Sequence, residues 1–267
     1  LHDALPIYFE DFNEDGIADF INYMGKKGMK NSTINKQLGF LRWYLRWCYE
    51  KDYHTNHTFE HFKPKLKSAS KRVIFLTQEE LEKVENLKIP EKYTSLEAVR
   101  DVFLFCCYTG LRYSDAYNLT WEDIHNRKIE IVTVKTADRI TIEINSKSQA
   151  ILDKYSDIHF PDNKVLPIIS NQKMNKRLHT LCKLAGIDEP IKSTHYEGNK
   201  RIDEVKPKYE LVGTHCGRRT FICTALAKGI PPSVVMKWTG HSDYKAMKPY
   251  IDIADEVKSS YMKQFDE

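Results

Sequence analysis

What this 267-residue chain lacks narrows its possibilities first. No apolar run approaches the roughly 20 residues a membrane-spanning helix needs, and the longest is the short VFLFCCY around residue 105. No basic stretch followed by an apolar core opens the chain, so a secretory leader is not expected. Of the six cysteines (Cys48, Cys106, Cys107, Cys182, Cys216 and Cys223) no two stand in C-x-x-C spacing, and several fall inside apolar helical patterns. Buried free thiols fit that arrangement better than disulfides or a metal site. An initiator Met is also missing: the opening LHDALPI has no periodic pattern, and its D-A-L-P-I string is compatible with one frame of a sequencing adapter, so a truncated N-terminus is expected. These absences predict a soluble cytoplasmic protein with no membrane partner, no metal and no cofactor.

The 41% hydrophobic content is enough for a real core, in one large domain or in a small one joined to a larger one. The net charge of +4 conceals strong segregation. Residues 1–25 hold six acids and no Lys or Arg, whereas residues 26–72 hold twelve Lys/Arg against three acids. Residues 73–185 balance, residues 186–250 carry a net +4, and the tail from 251 carries −3. Two basic regions suggest two surfaces facing a polyanion; the same pattern also fits solvated lysines on helix faces.

Periodicity supplies the elements. From IADFINYMG through STINKQLGFLRWYLRWCYEKDY the pattern is helical, with Ile34, Leu38, Leu41, Leu45 and Cys48 at three- and four-residue steps and Ser32 as N-cap. The last of these helices interleaves Arg42, Arg46 and Lys51 with Trp43, Tyr44 and Trp47, which reads as aromatic core with a basic exposed face; a DNA-facing helix would look similar. The basic, Pro-interrupted HFKPKLKSASKR at 61–72 reads as a linker able to cross phosphates through Lys63, Lys65, Lys67, Lys71 and Arg72. In LTQEEL, Thr77 and Glu80 make a capping box with Leu76 stapled to Leu81. LEAVRDVFLFCCYTG is a buried helix closed by Gly110. KIEIVTV and ITIEI alternate as strands joined by KTADR, a hairpin. Helices return at 171–185, 215–228 and 232–238.

Three strings set a cation or imidazole at or beside a helix terminus. In TGLRYSD, Arg112 follows the turn glycine and Asp115, three residues on, is near enough to orient its guanidinium. In THCGRRTF, His215 and Arg218 face the same way at a helix start capped by Thr214. In TGHSD, His241 occupies a second glycine-preceded helix start, and Tyr250 lies nine residues beyond it in GHSDYKAMKPY, where Ser242 and Asp243 suit the first turn. Helix N-termini, guanidiniums and imidazoles together make a phosphate site. His125, His179 and His195 match no such string and read as surface or loop residues, and Trp238 reads as core beside Val235.

These strings resemble the boxes of the tyrosine recombinase (phage integrase) family, particularly integrases of Bacteroidetes mobile elements. An Arg after T-G-L, an H-x-x-R box, a G-H pair and a Tyr nine residues past that His all occur in order, and the resemblance spans nearly the whole chain. It implies a mainly α fold with a small β-sheet: an N-terminal all-α SAM-like core-binding domain over 1–66, truncated at its start, a basic linker over 67–75, and an α+β integrase-type catalytic domain over 76–267. It places Arg112, His215, Arg218, His241 and the nucleophile Tyr250 in the catalytic positions, Asp115 in a supporting one, and Lys135 as the hairpin lysine, with Arg139 across the turn as its competitor. Arg219 is assigned to structure or DNA backbone contact, and Arg42 and Arg46 to DNA contact. The partners it implies are double-stranded DNA, a homotetramer on paired sites, and accessory DNA-bending proteins.

The chemistry agrees. Two guanidiniums can neutralise the non-bridging oxygens of an attacked phosphodiester. A tyrosine hydroxyl, with a pKa of about 10, must lose its proton during attack, and a neutral imidazole, His215 or His241, can accept it or hold the phosphate; the departing 5′ oxygen needs a proton that Lys135 can deliver. The resulting phosphotyrosine ester conserves the bond energy, which suits strand exchange without ATP or metal. Pro249 is expected to kink or end its helix near Tyr250. The tail stripe Ile251, Ile253, Val257 and Tyr261 packs either on a neighbouring subunit or on its own domain. A type IB topoisomerase-like relaxing enzyme and a catalytically inactive DNA-binding relative are the alternative readings.

Overall fold

The computed structural model describes residues 7–70 and 72–262, with side chains through Ile253, and divides into two compact units. The first comprises residues up to Arg72 together with Lys192–Val205; the second comprises Val73–Ile191 with the chain from Lys206 onward.

In the first unit, α1 (Glu14–Lys26) and α2 (Asn31–Glu50) pack with the short α3 (Thr58–His61). Ile17, Met24, Ile34, Leu38, Leu45 and Phe59 form its core, with the partly buried Phe62 and Leu66 against them. The spacing of Ile34, Leu38 and Leu45 puts one stripe of α2 inward, each such side chain contributing about 2 kcal/mol on burial. After α3 the extended chain alternates. Phe62, Pro64 and Leu66 are half-buried while Lys63, Lys65 and Lys67 are exposed, so the lysines stand on the solvent side of a strand-like segment. The other face of α2 differs from expectation. Trp43, Tyr44 and Trp47 are exposed, while Arg42 Nη2 donates to Phe62 O at 3.0 Å and Arg46 pairs with Glu60 at 3.1 Å. The arginines, not the aromatics, tie this helix to its neighbours. Ser32 is not the N-cap either: α2 begins at Asn31, and its cap residue Lys30 makes no side-chain cap.

Two eight-residue strands absent from the sequence reading, β4 and β5, also belong largely to this unit. In chain order they follow three strands and five helices of the second unit: α4 (Gln78–Glu85), α5 (Ser95–Thr109), α6 (Tyr113–Asn118), β1 (Ile124–His125), β2 (Lys128–Val132), β3 (Arg139–Glu143), α7 (Ser146–Tyr155) and α8 (Asn171–Leu184). Then come β4 (Pro190–Glu197) and β5 (Lys200–Pro207), a hairpin turning at Gly198 and Asn199, and finally α9 (Thr214–Ala227), α10 (Pro232–Thr239) and α11 (Tyr244–Met262).

The second unit is built around α5, which packs on α9, α7 and α8. Its buried run from Val102 to Cys107 is inaccessible all round, as a helix apolar on every face must be. The Thr77–Glu80 capping box forms, Thr77 N donating to Glu80 Oε2 at 2.8 Å. β1, β2 and β3 make an antiparallel sheet in which Ile129 pairs with Ile142 and Ile131 with Ile140, all four buried. β1 is a two-residue strand that the hairpin reading left out. Pro249 does not end its helix: α11 continues through it to Met262. Ile251 packs with Ile222, Leu226 and Met247 of its own unit, while the side chains of Val257 and Tyr261 lie outside the described residues. All six cysteines are buried and free. Among the described residues no helix is long and apolar enough to cross a membrane, and no group of three His, Cys, Asp or Glu side chains could hold a metal ion.

Candidate active site

Arg218 lies at 1% exposure in the floor of the second unit. A buried guanidinium is costly unless its donors are used, and here two helix ends use them. The last carbonyls of a helix have no intrahelical partner and carry the negative end of its dipole. α5 closes at Gly110 and α10 at Gly240, both left-handed; Arg218 Nη1 donates to Gly110 O at 3.0 Å and Nη2 donates to Thr239 O. Gly110 has φ +73, and a Cβ there would stand 2.5 Å from the Phe221 ring, so conformation and space both demand glycine. Gly217 permits the crossing that brings Arg218 to this place. A Cβ on it would lie 3.0 Å from Cys106 Cβ and 3.2 Å from Phe103 O, across the α5–α9 contact.

Arg112 precedes the first residue of α6 with φ −69 and ψ 150, extended backbone. Its Nη1 is 3.8 Å from Asp115 Oδ2, and both atoms are buried without a hydrogen bond. A donor left unsatisfied inside a protein strongly favours an anionic acceptor. Burial, and then the charge of Arg112, lowers the Arg218 pKa to about 10, while Tyr250 and Asp115 act the other way. Tyr250 is therefore near enough to the buried guanidinium for its hydroxyl to matter electrostatically. Its half-buried ring packs against the cluster of Ile222, Ala225, Leu226, Val235 and Met247.

Both imidazoles are held neutral. His215 is lowered from 6.5 to about 4 by desolvation, then by Arg219, Arg218, Arg112 and Lys135. Because this residue keeps substantial exposure, we assign the surrounding cations more of the effect than burial. His241 is lowered to about 4 by burial first, followed by Arg218, Arg112 and His215. Its tautomer follows from its partners. Thr239 Oγ1 has one proton and donates it to Val235 O at 2.6 Å, so in its 2.8 Å contact with His241 Nδ1 it accepts. Nδ1 then carries the hydrogen and Nε2 keeps its lone pair, with Arg218 Nη2 3.4 Å from each ring nitrogen.

Lys135 sits at the exposed turn between β2 and β3. The residues before it are braced: Val134 N donates to Asp115 Oδ1 at 2.9 Å, and Thr133 Oγ1 contacts Thr136 Oγ1 at 2.8 Å and accepts from Asp138 N at 3.2 Å. Asp115 thus touches Arg112 and the base of the Lys135 turn at once. Burial raises the thiols of Cys106 and Cys216 to about 12, so they stay protonated and are poor nucleophiles.

The structure brings Arg112, Asp115, Lys135, His215, Arg218, His241 and Tyr250 into one electrostatic neighbourhood, with Arg219 beside His215. Two local readings change. Thr214 is the first residue of α9 rather than its cap, its amide donating to Asn175 Oδ1 of α8 at 2.8 Å and its hydroxyl to Asn171 Oδ1 at 3.1 Å. His241 follows the C-terminal end of α10 instead of opening a helix, and Asp243 Oδ1 accepts from Lys245 N at the start of α11. Asn175 belongs to none of the quoted strings, and Thr239, although it opens TGHSD, shows its role only through its contact with His241 Nδ1. Trp238 is half-buried, edge-on to Phe221, and donates to Glu143. Of the DNA-contact candidates, Lys63, Lys65, Lys67 and Arg72 are exposed, Arg42 and Arg46 are engaged within their own unit, and Lys71 lies outside the described residues.

Comparison with known proteins gives consistent matches. The model of the phage integrase family matches residues 74–256, and that of the phage integrase SAM-like domain matches residues 2–66. No curated protein sequence matches. Among solved structures, a lambda integrase dimer bound to a COC′ core site superposes with a TM-score of 0.70 at 19% identity, over 93% of this chain and 83% of that one. The Tn1549 transposon integrase in complex with circular intermediate DNA gives 0.65 at 17%, over 92% and 82%. XerA recombinase gives 0.52 at 18%, over 98% and 86%.

Proposed function

This chain belongs to the phage integrase family and is a tyrosine-type site-specific recombinase; from that premise we propose that it cleaves and rejoins duplex DNA through a 3′-phosphotyrosine at Tyr250, in the integration or excision of a mobile element. The carrying observation is the pinned guanidinium of Arg218 with Arg112, two neutral imidazoles and the Tyr250 hydroxyl around it. In this reading Arg112 and Arg218 bind the non-bridging oxygens of the scissile phosphate, Arg112 with the buried N–H that has no acceptor. The Tyr250 oxygen attacks phosphorus as a neutral imidazole, His215 or His241, accepts or holds its proton. The bond to the 5′ oxygen breaks, Lys135 protonates that oxygen, and a second strand's 5′ hydroxyl later reverses the step.

Residues 1–66 serve as the core-binding domain and 76–267 as the catalytic domain, joined by the basic segment 67–75. Lys63, Lys65, Lys67, Lys71, Arg72 and Arg219 contact phosphates. The partner is double-stranded DNA, held by a tetramer on paired sites, with accessory DNA-bending proteins. Solved neighbours support this, lambda integrase having been seen as a dimer on a core site and as a tetramer on a Holliday junction.

The test is covalent trapping on nicked duplexes made from the element's own ends. Wild-type protein should form an adduct resistant to denaturant, and Tyr250→Phe should bind DNA with nearly unchanged affinity and form none. An adduct persisting in Tyr250→Phe removes the assignment. Plasmid relaxation without joining of two sites would favour a topoisomerase instead.

A further inference from the structure

Asn31 is an uncharged polar side chain at 1% exposure whose bonds join segments far apart in sequence. Its Nδ2 donates to Lys67 O at 2.9 Å and to Gly198 O at 2.8 Å, and its Oδ1 accepts from Gly198 N at 2.8 Å. Both amide protons and the carbonyl are used, and all three partners are backbone groups. The side-chain amide thus pairs with Gly198 as another peptide group would, while its second proton holds the basic segment at Lys67. Asparagine is among the best helix-capping residues, yet here it occupies the first helical position of α2 and caps nothing, and Lys30 before it supplies no side-chain cap. A strong capping side chain has been turned away from its own helix toward the hairpin.

Behind its tip the hairpin carries side-chain bonds that centre on Asp203 of β5. Asp203 accepts from Thr194 Oγ1 at 2.7 Å and from Arg201 Nε at 3.0 Å, and pairs with Lys192 at 3.1 Å. Lys67, whose carbonyl Asn31 grips, carries an exposed ammonium in line with those of Lys63 and Lys65.

We propose that Asn31 is a positioning residue: a latch that makes the β4–β5 hairpin and the basic segment 63–67 one body, so that the lysine row meets DNA phosphates preset in one geometry. This rests on the recombinase reading for its ligand. The latch itself does not, because one amide shares its two protons between the two segments. Loosening either segment must loosen the other.

The full chain is compared with Asn31→Asp, which keeps size and the acceptor for Gly198 N but sets a carboxylate against two carbonyls. Amide hydrogen exchange is followed in 192–205 and in 66–70, and the salt dependence of binding to mixed-sequence duplex DNA is measured. Both segments should exchange about tenfold faster, as expected for two buried hydrogen bonds lost, and the log–log salt slope should flatten by about one unit or more. Gly198→Ala, which leaves α2 untouched and strains only the turn at φ +57, should speed exchange in 66–70 as well; it decides the matter if Asn31→Asp does not fold. Faster exchange in the hairpin alone overturns the latch. Faster exchange in both with an unchanged slope overturns its role in DNA grip. Wild-type protein that binds no duplex refutes the recombinase reading, while the exchange data still decide the latch.

Discussion

Two of the hairpins among the described residues, β2–β3 and β4–β5, are each held near the turn by one side chain from the first turn of a helix, and they differ in what the tether is. At β2–β3 the tether is Asp115, an anion that accepts one amide, that of Val134, and spends its other oxygen beside Arg112. At β4–β5 it is Asn31, neutral, matching a donor and an acceptor of Gly198 together. An anionic tether links a turn to the charge in a site; a neutral amide links it only to geometry. The first hairpin bears the lysine proposed for proton transfer, and the second bears Lys200 beside its turn with no reactive group among its described contacts.

The largest test of that contrast is a pair of substitutions. Lys135→Ala should slow cleavage about 10²–10⁴-fold, the range for loss of a general acid, and a substrate whose bridging 5′ oxygen is replaced by sulfur, which leaves without a proton, should restore most of the rate. Lys200→Ala should leave the single-turnover cleavage rate within about twofold, acting at most on affinity. Equal losses measured for the two on nicked substrates would erase the distinction.

A smaller effect probes whether a neutral side chain can also govern chemistry. Thr239→Val removes the acceptor that holds the His241 Nδ1 proton, freeing the ring to adopt the other tautomer. Cleavage should fall about fivefold, the cost of losing one neutral hydrogen bond of roughly 1 kcal/mol, and Thr239→Ser should recover it. Unchanged cleavage by Thr239→Val would show that the tautomer is set elsewhere.

A separate effect is on stability against pH. His215 and His241 are both depressed from 6.5 to about 4 in the folded protein. Between those values the unfolded chain binds protons that the folded one refuses, so stability should be full above about pH 6.5 and decline as pH falls toward 4. Denaturant midpoints across that window measure it, and His215→Gln with His241→Gln should flatten the slope. A bound phosphate would favour the imidazolium and move the decline, tying this to the charged hairpin and not to the neutral one.

How much was legible depended on whether the signal was local. The buried stripe of α2, the Thr77 capping box and the Gly110 helix end were readable because each is set by residues within one or two turns. The mostly helical class followed from them. β4–β5 was not read, although THYE-GN-KRIDEV alternates around a Gly-Asn turn, because its strands are half-polar and bury only Ile191 among the described side chains. The interleaved Arg42, Trp43, Arg46 and Trp47 fit either an aromatic core or an outward-facing helix, and the tryptophans stand outward while Arg42 and Arg46 reach Phe62 O and Glu60 in a segment more than ten residues away.

The linear order of residues by itself determined which chemistry was available: Arg112, the His215–Arg218 spacing, the nine-residue step from His241 to Tyr250, and the turn glycines that end α5 and α10. Only tertiary structure decided the states in which those groups exist. The lowered pKa values of two histidines come from burial and from cations on three separate elements, α9, the start of α6 and the β2–β3 turn, and Arg218 is tolerable in the interior because two helices end on it. Asn31 meets Gly198 across 167 positions. Hydrogen bonds and charges act over a few ångströms of space irrespective of the length of chain between them, so the backbone's path, not the order of its residues, selected their partners.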